Sequence, residues 1–322
     1  MVDLSEEAHD KTISIVIPCY NEEDVLPLLA APLSSLADQL RQRYRVEVVL
    51  VDDGSVDKTW RLICDYARMD GRVRGMSLSR NFGHQAALTC GYDLATGDAV
   101  VCMDADLQDP PEVVREMVAK WEGGADVVYA VRRSRTGESA FKLKTASLFY
   151  RLIRRMGATY VREDSGDFRL MSRRALDALN KLREQHRFIR GMVGWVGFRT
   201  AEVRYDRMAR VAGVTKYPFR KMLRFAIDAT VSFSSFPLRL AYLLSSALSL
   251  VFLGYLVYTL FLHFFFDRTL VPGWSSLIIS ITAFGAINLM CLGIIGEYIG
   301  RIFEQAKSRP LYLVGEHTRN DC

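Results

Sequence analysis

Up to Val131, short apolar runs rich in β-branched residues alternate with stretches of helical periodicity. Ile13–Pro18 (ISIVIP), Val46–Val51 (VEVVLV), Val73–Leu78, Ala99–Met103 (AVVCM) and Val127–Val131 read as strands. Their apolar residues run on rather than alternate, the mark of strands covered on both faces. Between them, Glu22–Leu40, Lys58–Met69, Gln85–Thr96 and Pro110–Gly123 read as helices. The first pattern is broken by Pro27 and Pro32, and the last is opened by prolines in its first turn. Strands alternating with helices predict an α/β fold, a mostly parallel sheet with helices on both faces. Ligands of such sheets bind beyond the carboxyl ends of the strands.

Past residue 135 the pattern changes. Glu138–Met156 sets Phe141, Leu148, Leu152 and Met156 on one helical face and Lys144, Arg151 and Arg155 on another, a basic amphipathic helix suited to a membrane surface. Thr215–Phe236 repeats the theme with Lys216, Arg220, Lys221 and Arg224 beside Tyr217, Phe219, Leu223 and Phe225. No Asp, Glu, Lys or Arg occurs from Leu240 to Phe266, nor from Thr269 to Gly296. Each run exceeds the ~20 apolar residues that span a bilayer as a helix. The predicted organisation is therefore an α/β domain over 1–214, an interfacial segment over 215–239, two transmembrane helices within 240–298 (240–266 and 272–298), and a tail over 299–322.

The composition of the 322 residues adds limits. Hydrophobic residues at 50% and aromatics at 11% exclude disorder, and the two apolar runs exclude a wholly soluble chain. A net charge of +5 is too small to argue for nucleic acid, but its placement matters. Arg220, Lys221, Arg224 and Arg239 precede the first run, Arg301, Lys307 and Arg309 follow the second, and only Asp267 and Arg268 lie between. The positive-inside rule then puts both the N-terminal portion and the tail in the cytoplasm. Met1–Lys11 is acidic and polar, unlike a cleaved signal peptide. The six cysteines (19, 64, 90, 102, 291, 322) show no C-x-x-C spacing and read as reduced thiols.

Polar residues collect where the strands end. Strand one ends in Pro18-Cys19-Tyr20-Asn21-Glu22-Glu23, strand two in Asp52-Asp53-Gly54-Ser55-Val56-Asp57, and strand four in Asp104-Ala105-Asp106-Leu107-Gln108-Asp109. An isolated Asp-Gly-Ser is a turn, and an isolated Asp-x-Asp arises by chance. Three such clusters at the carboxyl ends of one sheet converge on a single crevice of high negative charge. That crevice needs a cation to hold an anionic ligand, and carboxylate and amide oxygens suit Mg²⁺ or Mn²⁺. Asp104, Asp106 and Gln108 alternate in what reads as an extended segment, so their side chains are expected to face one side together. No G-x-x-x-x-G-K-[ST] is present and no G-x-G-x-x-G follows the first strand, which disfavours kinase-type and dinucleotide sites. A nucleotide whose diphosphate is held by metal remains, the arrangement of a nucleotide-sugar transferase.

At this point the residues resemble a known family. IVIPCYNEE, VDDGSVDKT, SRNFGHQAAL and MDADLQDPPE resemble family-two glycosyltransferases of the GT-A (Rossmann-like) fold. VVYAVRRSRTGES, FYRLIRR, SGDFRLMSRRAL, RFIRGMVGWVGF and RMARVAG-x-TKY look like the polyprenyl-phosphate glycosyltransferases, relatives of dolichol-phosphate mannose synthase and the bactoprenol glucosyltransferases. The likeness runs from Ile13 to Arg309. One departure is Val214-Thr215, where family members often carry a polar pair before Lys-Tyr. The Gln-x-x-Arg-Trp motif of processive synthases is absent, which argues against a polymerase.

The resemblance implies roles. Pro18, Tyr20 and Glu22 should line a nucleotide pocket, Asp52 should accept from the base, with Asp53 beside it, and Asp104 should sit near ribose and diphosphate. Asp106 with Gln108, and Asp104 near them, is the metal choice. A bland alternative for Asp52 and Asp53 is capping the following helix, worth about 1 kcal/mol. The implied acceptor is a lipid phosphate, already anionic at neutral pH with a second pKa of about 6, so positive charge matters more than a strong base. Arg132, Arg133, Arg135, Arg169, Arg207, Arg210 and Lys216 meet that need, since guanidinium forks suit phosphate oxygens. Asp167 belongs at the catalytic centre, either as a base or orienting Arg169 or an acceptor-binding arginine. His84 reads as a packing or helix-terminus residue.

The expected activity is an inverting, metal-dependent transfer of one sugar, UDP-glucose first, to polyprenyl (undecaprenyl) phosphate at the cytoplasmic membrane face. GDP-mannose with dolichyl phosphate, UDP-N-acetylglucosamine or an amino-arabinose donor are the alternatives, and a membrane-bound nucleotide-sugar sensor is the non-enzyme alternative. A dimer or tetramer fits the resemblance and the apolar helix pair.

Overall fold

The computed structural model describes residues 11–133, 165–206, 236–266 and 273–318. Both basic amphipathic stretches fall outside them apart from the last residue, Phe236, as do Arg135, Arg207, Arg210 and Lys216. The described residues form two compact units: residues 11–133, 165–206 and 309–318 make an α/β unit, and 236–266 with 273–308 a helical one.

In the α/β unit the five expected strands appear as β1 (Thr12–Cys19), β2 (Arg45–Asp52), β3 (Val73–Leu78), β4 (Ala99–Cys102) and β5 (Val127–Arg132). The helices between them are α1 (Leu26–Arg41), α2 (Thr59–Met69), α3 (His84–Leu94) and α4 (Val113–Glu122). Pro27 occupies the first turn of α1, where its missing N–H is harmless, while Pro32 is carried inside a continuous helix. Ile13, Ile15, Val16 and Ile17 of β1 are all fully buried, as uninterrupted apolar strands at the centre of a covered sheet must be.

Three further strands carry little of that apolar signature: β6 (Ser165–Ser172), β7 (Thr200–Tyr205) and β8 (Val314–His317). The sheet order is β7-β5-β6-β4-β1-β2-β3-β8. The pairs β1–β2, β1–β4, β2–β3 and β5–β7 are parallel, whereas β4–β6, β5–β6 and β3–β8 are antiparallel. The sheet is thus mixed rather than mostly parallel. β6 enters between β4 and β5 against their direction, so its Asp167 arrives beside the carboxyl end of β4. The short helices α5 (Arg173–Asn180) and α6 (Ile189–Val196) follow it.

β8 closes the far edge. Met76 pairs with His317, Ser77 with Glu316 and Leu78 with Val314. Trp60 Nε1 donates to Glu316 Oε2 at 2.6 Å, and Gly75 N donates to Thr318 Oγ1 at 3.0 Å. A long open edge is a template for wrong pairing, and this strand replaces the six-residue edge of β3 with a four-residue one.

α3 lies against β1 at Gly91, where a Cβ would overlap Val16 Cγ1 of a fully buried strand. Gly91→Ala should destabilise the protein by about 1–3 kcal/mol through overpacking. A lowered urea midpoint at unchanged slope checks it; an unchanged midpoint refutes the tight fit.

The helical unit consists of α7 (Phe236–Phe266) and α8 (Trp274–Ala306), which meet where Cys291 Sγ lies 3.8 Å from Ser245 Oγ. Among the described residues one stretch, Ala283–Ala306, is long and apolar enough to cross a membrane, and Ala241–Tyr255 is a shorter apolar stretch. The first of these overlaps the expected 272–298 span, and the second lies within the expected 240–266 span. Leu250, Phe265, Leu289 and Ile302 are exposed, an apolar surface that water does not favour. Cys19, Cys90, Cys102 and Cys291 are free thiols as expected, whereas Cys64 is disulfide-bonded, against expectation.

Candidate active site at the carboxyl edge of the sheet

The loops after β1, β2 and β3 are tied to one another by the residues expected to read a nucleotide. Asn21, with φ of 52°, donates from its N–H to Ser55 Oγ at 2.9 Å and accepts from Val56 N at 3.0 Å. Glu22 N donates to Thr59 Oγ1 at 2.8 Å. Gly54 has φ of 65°, and a Cβ there would press into the backbone of Arg80 and Asn81, so only glycine closes this turn.

Asp52 is 1% exposed; Oδ1 accepts from Ser55 N at 3.1 Å and Oδ2 from Ser77 Oγ at 2.7 Å. Asp53 accepts from Asn81 Nδ2, Phe82 N and Gly83 N at 3.0, 2.8 and 2.9 Å. Burial pushes its carboxyl up, against the pull of the Phe82 and Gly83 N–H groups. Asp53 therefore fastens the entry to α3, not the helix that follows it in sequence. Pro18 is buried, Tyr20 exposes its ring at 38%, and Glu22 is half-buried beside them.

The second half of the cleft is built on β4 and β6. Cys102 pairs with Arg169 in the antiparallel register, so two residues on, Asp167 faces Asp104. Asp167 is 3% exposed and gathers cations. Arg169, fully buried, donates from Nη2 to Oδ1 at 2.7 Å and to Gly166 O at 3.0 Å. Arg190, from the first turn of α6, grips the carboxylate twice, Nε to Oδ1 at 3.1 Å and Nη2 to Oδ2 at 2.7 Å. His84, the first residue of α3, sets Nε2 3.3 Å from Asp167 Oδ2 and 3.9 Å from Asp104 Oδ1.

These neighbours decide the charge states. Burial alone would raise the Asp167 carboxyl, but Arg190, the His84 hydrogen bond and Arg169 hold it well below the usual range. Burial would depress the His84 imidazole, yet the hydrogen bond to Asp167 and the fields of Asp104 and Asp167 leave it raised. Asp104 is pushed up by burial first, with His84 opposing and Asp167 and Asp106 adding to the rise.

Asp106 accepts from Gln108 N at 3.2 Å, and Leu107 between them has φ of 56°. A bulky side chain in the left-handed region marks strain at a site. The Asp104–Gln108 segment turns here instead of running extended, which corrects the expectation of three side chains alternating on one strand. Asp109 is buried and receives the Tyr205 hydroxyl at 2.7 Å, tying this loop to β7. Arg132 lies against the same corner, with Nη2 3.7 Å from the position of a Cβ on Gly166, and its Nε is buried without a hydrogen-bond partner. Arg133 is exposed and 3.7 Å from Asp206.

Among the described residues no group of three or more His, Cys, Asp or Glu side chains is disposed to hold a metal. The acidic pair Asp104 and Asp106 nonetheless fits one. Asp104 is buried and also feels the charges of Asp167 and Asp106; a divalent cation relieves such crowding of carboxylates, and Mg²⁺ or Mn²⁺ readily takes its remaining ligands from water and a diphosphate.

Of the residues expected at the site, Asp104, Asp106, Gln108, Asp167, Arg169 and Arg132 stand on or after β4, β5 and β6, and Pro18, Tyr20, Glu22, Asp52 and Asp53 at the carboxyl ends of the neighbouring β1 and β2. Sequence reasoning missed Arg190 and left His84 as a helix terminus. His84 is that terminus, and it also reaches the Asp167 carboxylate. Both lie in motifs that carried the family resemblance, SRNFGHQAAL and RFIRGMVGWVGF, which was the available signal.

Residues 14–179 match the model of Glycosyl transferase family 2. The chain is 47% identical over 301 residues to the uncharacterized glycosyltransferase YkcC of Bacillus subtilis (strain 168), covering 94% of this chain and 92% of that one. It is 40% identical over 303 residues to the bactoprenol glucosyl transferase of Shigella phage SfX, covering 94% and 98%. Glucosyl-3-phosphoglycerate synthase from Mycobacterium tuberculosis, solved with Mn²⁺, UDP-glucose and phosphoglyceric acid, superposes with a TM-score of 0.51 at 19% identity over 69% of this chain and 78% of that one, a likeness of fold.

Proposed function

The chain belongs to glycosyl transferase family 2, and on that premise we propose that it moves one glucosyl unit, with inversion, from UDP-glucose to a polyprenyl phosphate, undecaprenyl phosphate first, at the cytoplasmic membrane face. The observation that carries this reading is an acidic pair at the carboxyl end of β4, Asp104 and Asp106, in the field of Asp167 and of the Arg190 guanidinium that grips Asp167 together with Arg169. Two anions have to meet there, a donor diphosphate and an acceptor phosphate, and each needs its own counter-charge. The full-length likeness to bactoprenol glucosyl transferases favours a lipid phosphate as the second.

Pro18, Tyr20 and Glu22 line the nucleoside side of the cleft, while Asp52 and Asp53 hold its loops together and lend Asp52 to the base. A Mg²⁺ or Mn²⁺ held by Asp104 and Asp106, with Gln108 beside them, would neutralise charge on the leaving diphosphate. Asp167 accepts four hydrogen bonds, as many as a carboxylate has lone-pair sites, which suits an orienting residue better than a base. Arg132 and Arg133, with Arg135, Arg207, Arg210 and Lys216, supply the acceptor phosphate's donors. The helices α7 and α8 anchor the protein in the membrane, a reading supported by the apolar stretch Ala283–Ala306 and the basic residues flanking both helices.

Purified full-length protein offered UDP-glucose, UDP-N-acetylglucosamine, GDP-mannose and a UDP-amino-arabinose with undecaprenyl or dolichyl phosphate tests this. UDP-glucose with undecaprenyl phosphate should give the fastest turnover and a lipid-linked product of inverted anomeric configuration by NMR. Retained configuration, or preference for another donor, overturns the corresponding part of the reading.

A further inference from the structure

The carboxylate of Asp167 is reached from three separate elements, and two of them are joined by a contact with no other evident purpose. Ile189 opens α6, and its N–H, one of the four that an α-helix leaves without an internal partner, donates to Gln85 Oε1 at 3.0 Å. Gln85 is the second residue of α3, next to His84; Ile189 is the residue before Arg190. This one hydrogen bond therefore fixes the start of α6 against the start of α3, with His84 and Arg190, their neighbours in sequence, meeting on Asp167.

We propose that Arg190 is a positioning residue of the transfer site and that Gln85 is the joint that sets it, through Ile189 N–H, in two-point contact with Asp167. The inference rests on the glycosyl-transfer reading above. The charge count explains what the pair achieves. Asp104, Asp106 and Asp167 place three carboxylates about one corner, against two guanidinium groups, Arg169 and Arg190, and the His84 imidazole. Removing Arg190 leaves the acidic corner one cation poorer where an anionic acceptor must approach an anionic donor. Arg169 cannot stand in for it, because it is fully buried and occupied with Asp167 and the Gly166 carbonyl. Lysine cannot either, since a single ammonium lacks the fork that spans both carboxylate oxygens. Arg190 is 37% exposed, so its guanidinium borders the cleft while gripping a carboxylate that is not exposed.

The donor loops stand on β1, β2 and β3, and Arg190 belongs to the other side of the cleft. Its loss should therefore separate turnover from nucleotide binding. In the full-length protein Arg190→Gln should lower kcat about thirtyfold, with UDP affinity by calorimetry within about twofold of wild type, a range between lost preorganisation and lost fold. Arg190→Lys should recover only a small part of kcat. Gln85→Met, which keeps the shape and loses the acceptor, should lower kcat about fivefold, and Gln85→Glu, which keeps an oxygen, should restore most of it. Gln85→Met added to Arg190→Gln should cost nothing further, because the joint then has nothing to set. The same non-additivity should appear in urea midpoints, a readout that needs no turnover. Additive effects in kcat and midpoint, a wild-type kcat for Arg190→Gln, or a fall in UDP affinity matching the fall in kcat would each overturn the proposal. A wild-type protein without transfer to any polyprenyl phosphate would instead sink the transferase reading, and the midpoint cycle would still decide the joint.

Discussion

Asp106→Asn should cut sugar transfer by about 10³-fold or more, the scale of losing a major electrostatic partner in a transition state. The diphosphate leaves with more negative charge than it brought, and the Asp104–Asp106 pair is the candidate holder of the cation that meets it. Asp106 is half-buried on a loop outside the core, so the thermal midpoint should stay within a degree or two of wild type, consistent with a surface change of less than about 0.5 kcal/mol. EDTA should silence the wild-type enzyme to the same extent, and Mn²⁺ or Mg²⁺ should restore it but not the variant. Substantial turnover of Asp106→Asn, or of wild type in EDTA, would refute the metal assignment.

Asp167→Asn should be costly in stability as well as in rate. The buried carboxylate compensates Arg169, which has no exposure to water, and also holds Arg190 and His84. Breaking a buried ion pair from one side leaves an unpaired buried charge and costs about 3–5 kcal/mol. The pH dependence has a definite sign. A carboxyl whose pKa is lower folded than unfolded contributes its full stability above the unfolded value of about 3.9 and loses it as pH falls toward the folded value. Asp167 is such a group. Asp57, Asp70 and Asp126 are lowered too, so wild type should weaken steadily below about pH 4. In Asp167→Asn the starting stability should be lower and the acid slope shallower. Urea midpoints from pH 3 to pH 6 measure both, and an unchanged slope would mean that Asp167 is not held ionised by its partners.

What was legible in the chain followed from burial. β1 to β5 are apolar runs with no other explanation, and their boundaries agree with the structure to within a residue or two. β6 was not legible because its sequence, SGDFRLMS, carries an Asp and an Arg in the interior, which reads as a loop until each is seen to neutralise the other. The insertion of that strand is what made the sheet mixed. β8, four residues long with two exposed, offers almost no hydrophobic signal. The acidic strand ends were legible as a site, yet the shape of the Asp104–Gln108 turn was not, since nothing in a leucine announces that it adopts a left-handed backbone. Arg190 lay hidden for a similar reason: its partner is 23 residues away in sequence, and only tertiary packing brings the two together.

The strand β8 also sets a timetable for synthesis. β3 ends at Leu78, but the strand that covers it begins at Val314, on the far side of the whole helical unit. A ribosome adding about 5–20 residues per second leaves that edge unpaired for tens of seconds. For the whole of that interval the nascent α/β unit carries the bare edge of β3, and β8 can cover it only after α7 and α8 have left the ribosome. A chain cut between Lys216 and Val314 keeps the candidate site residues but leaves β3 as the bare edge, so termination in that interval should yield sticky sheets rather than merely shortened chains.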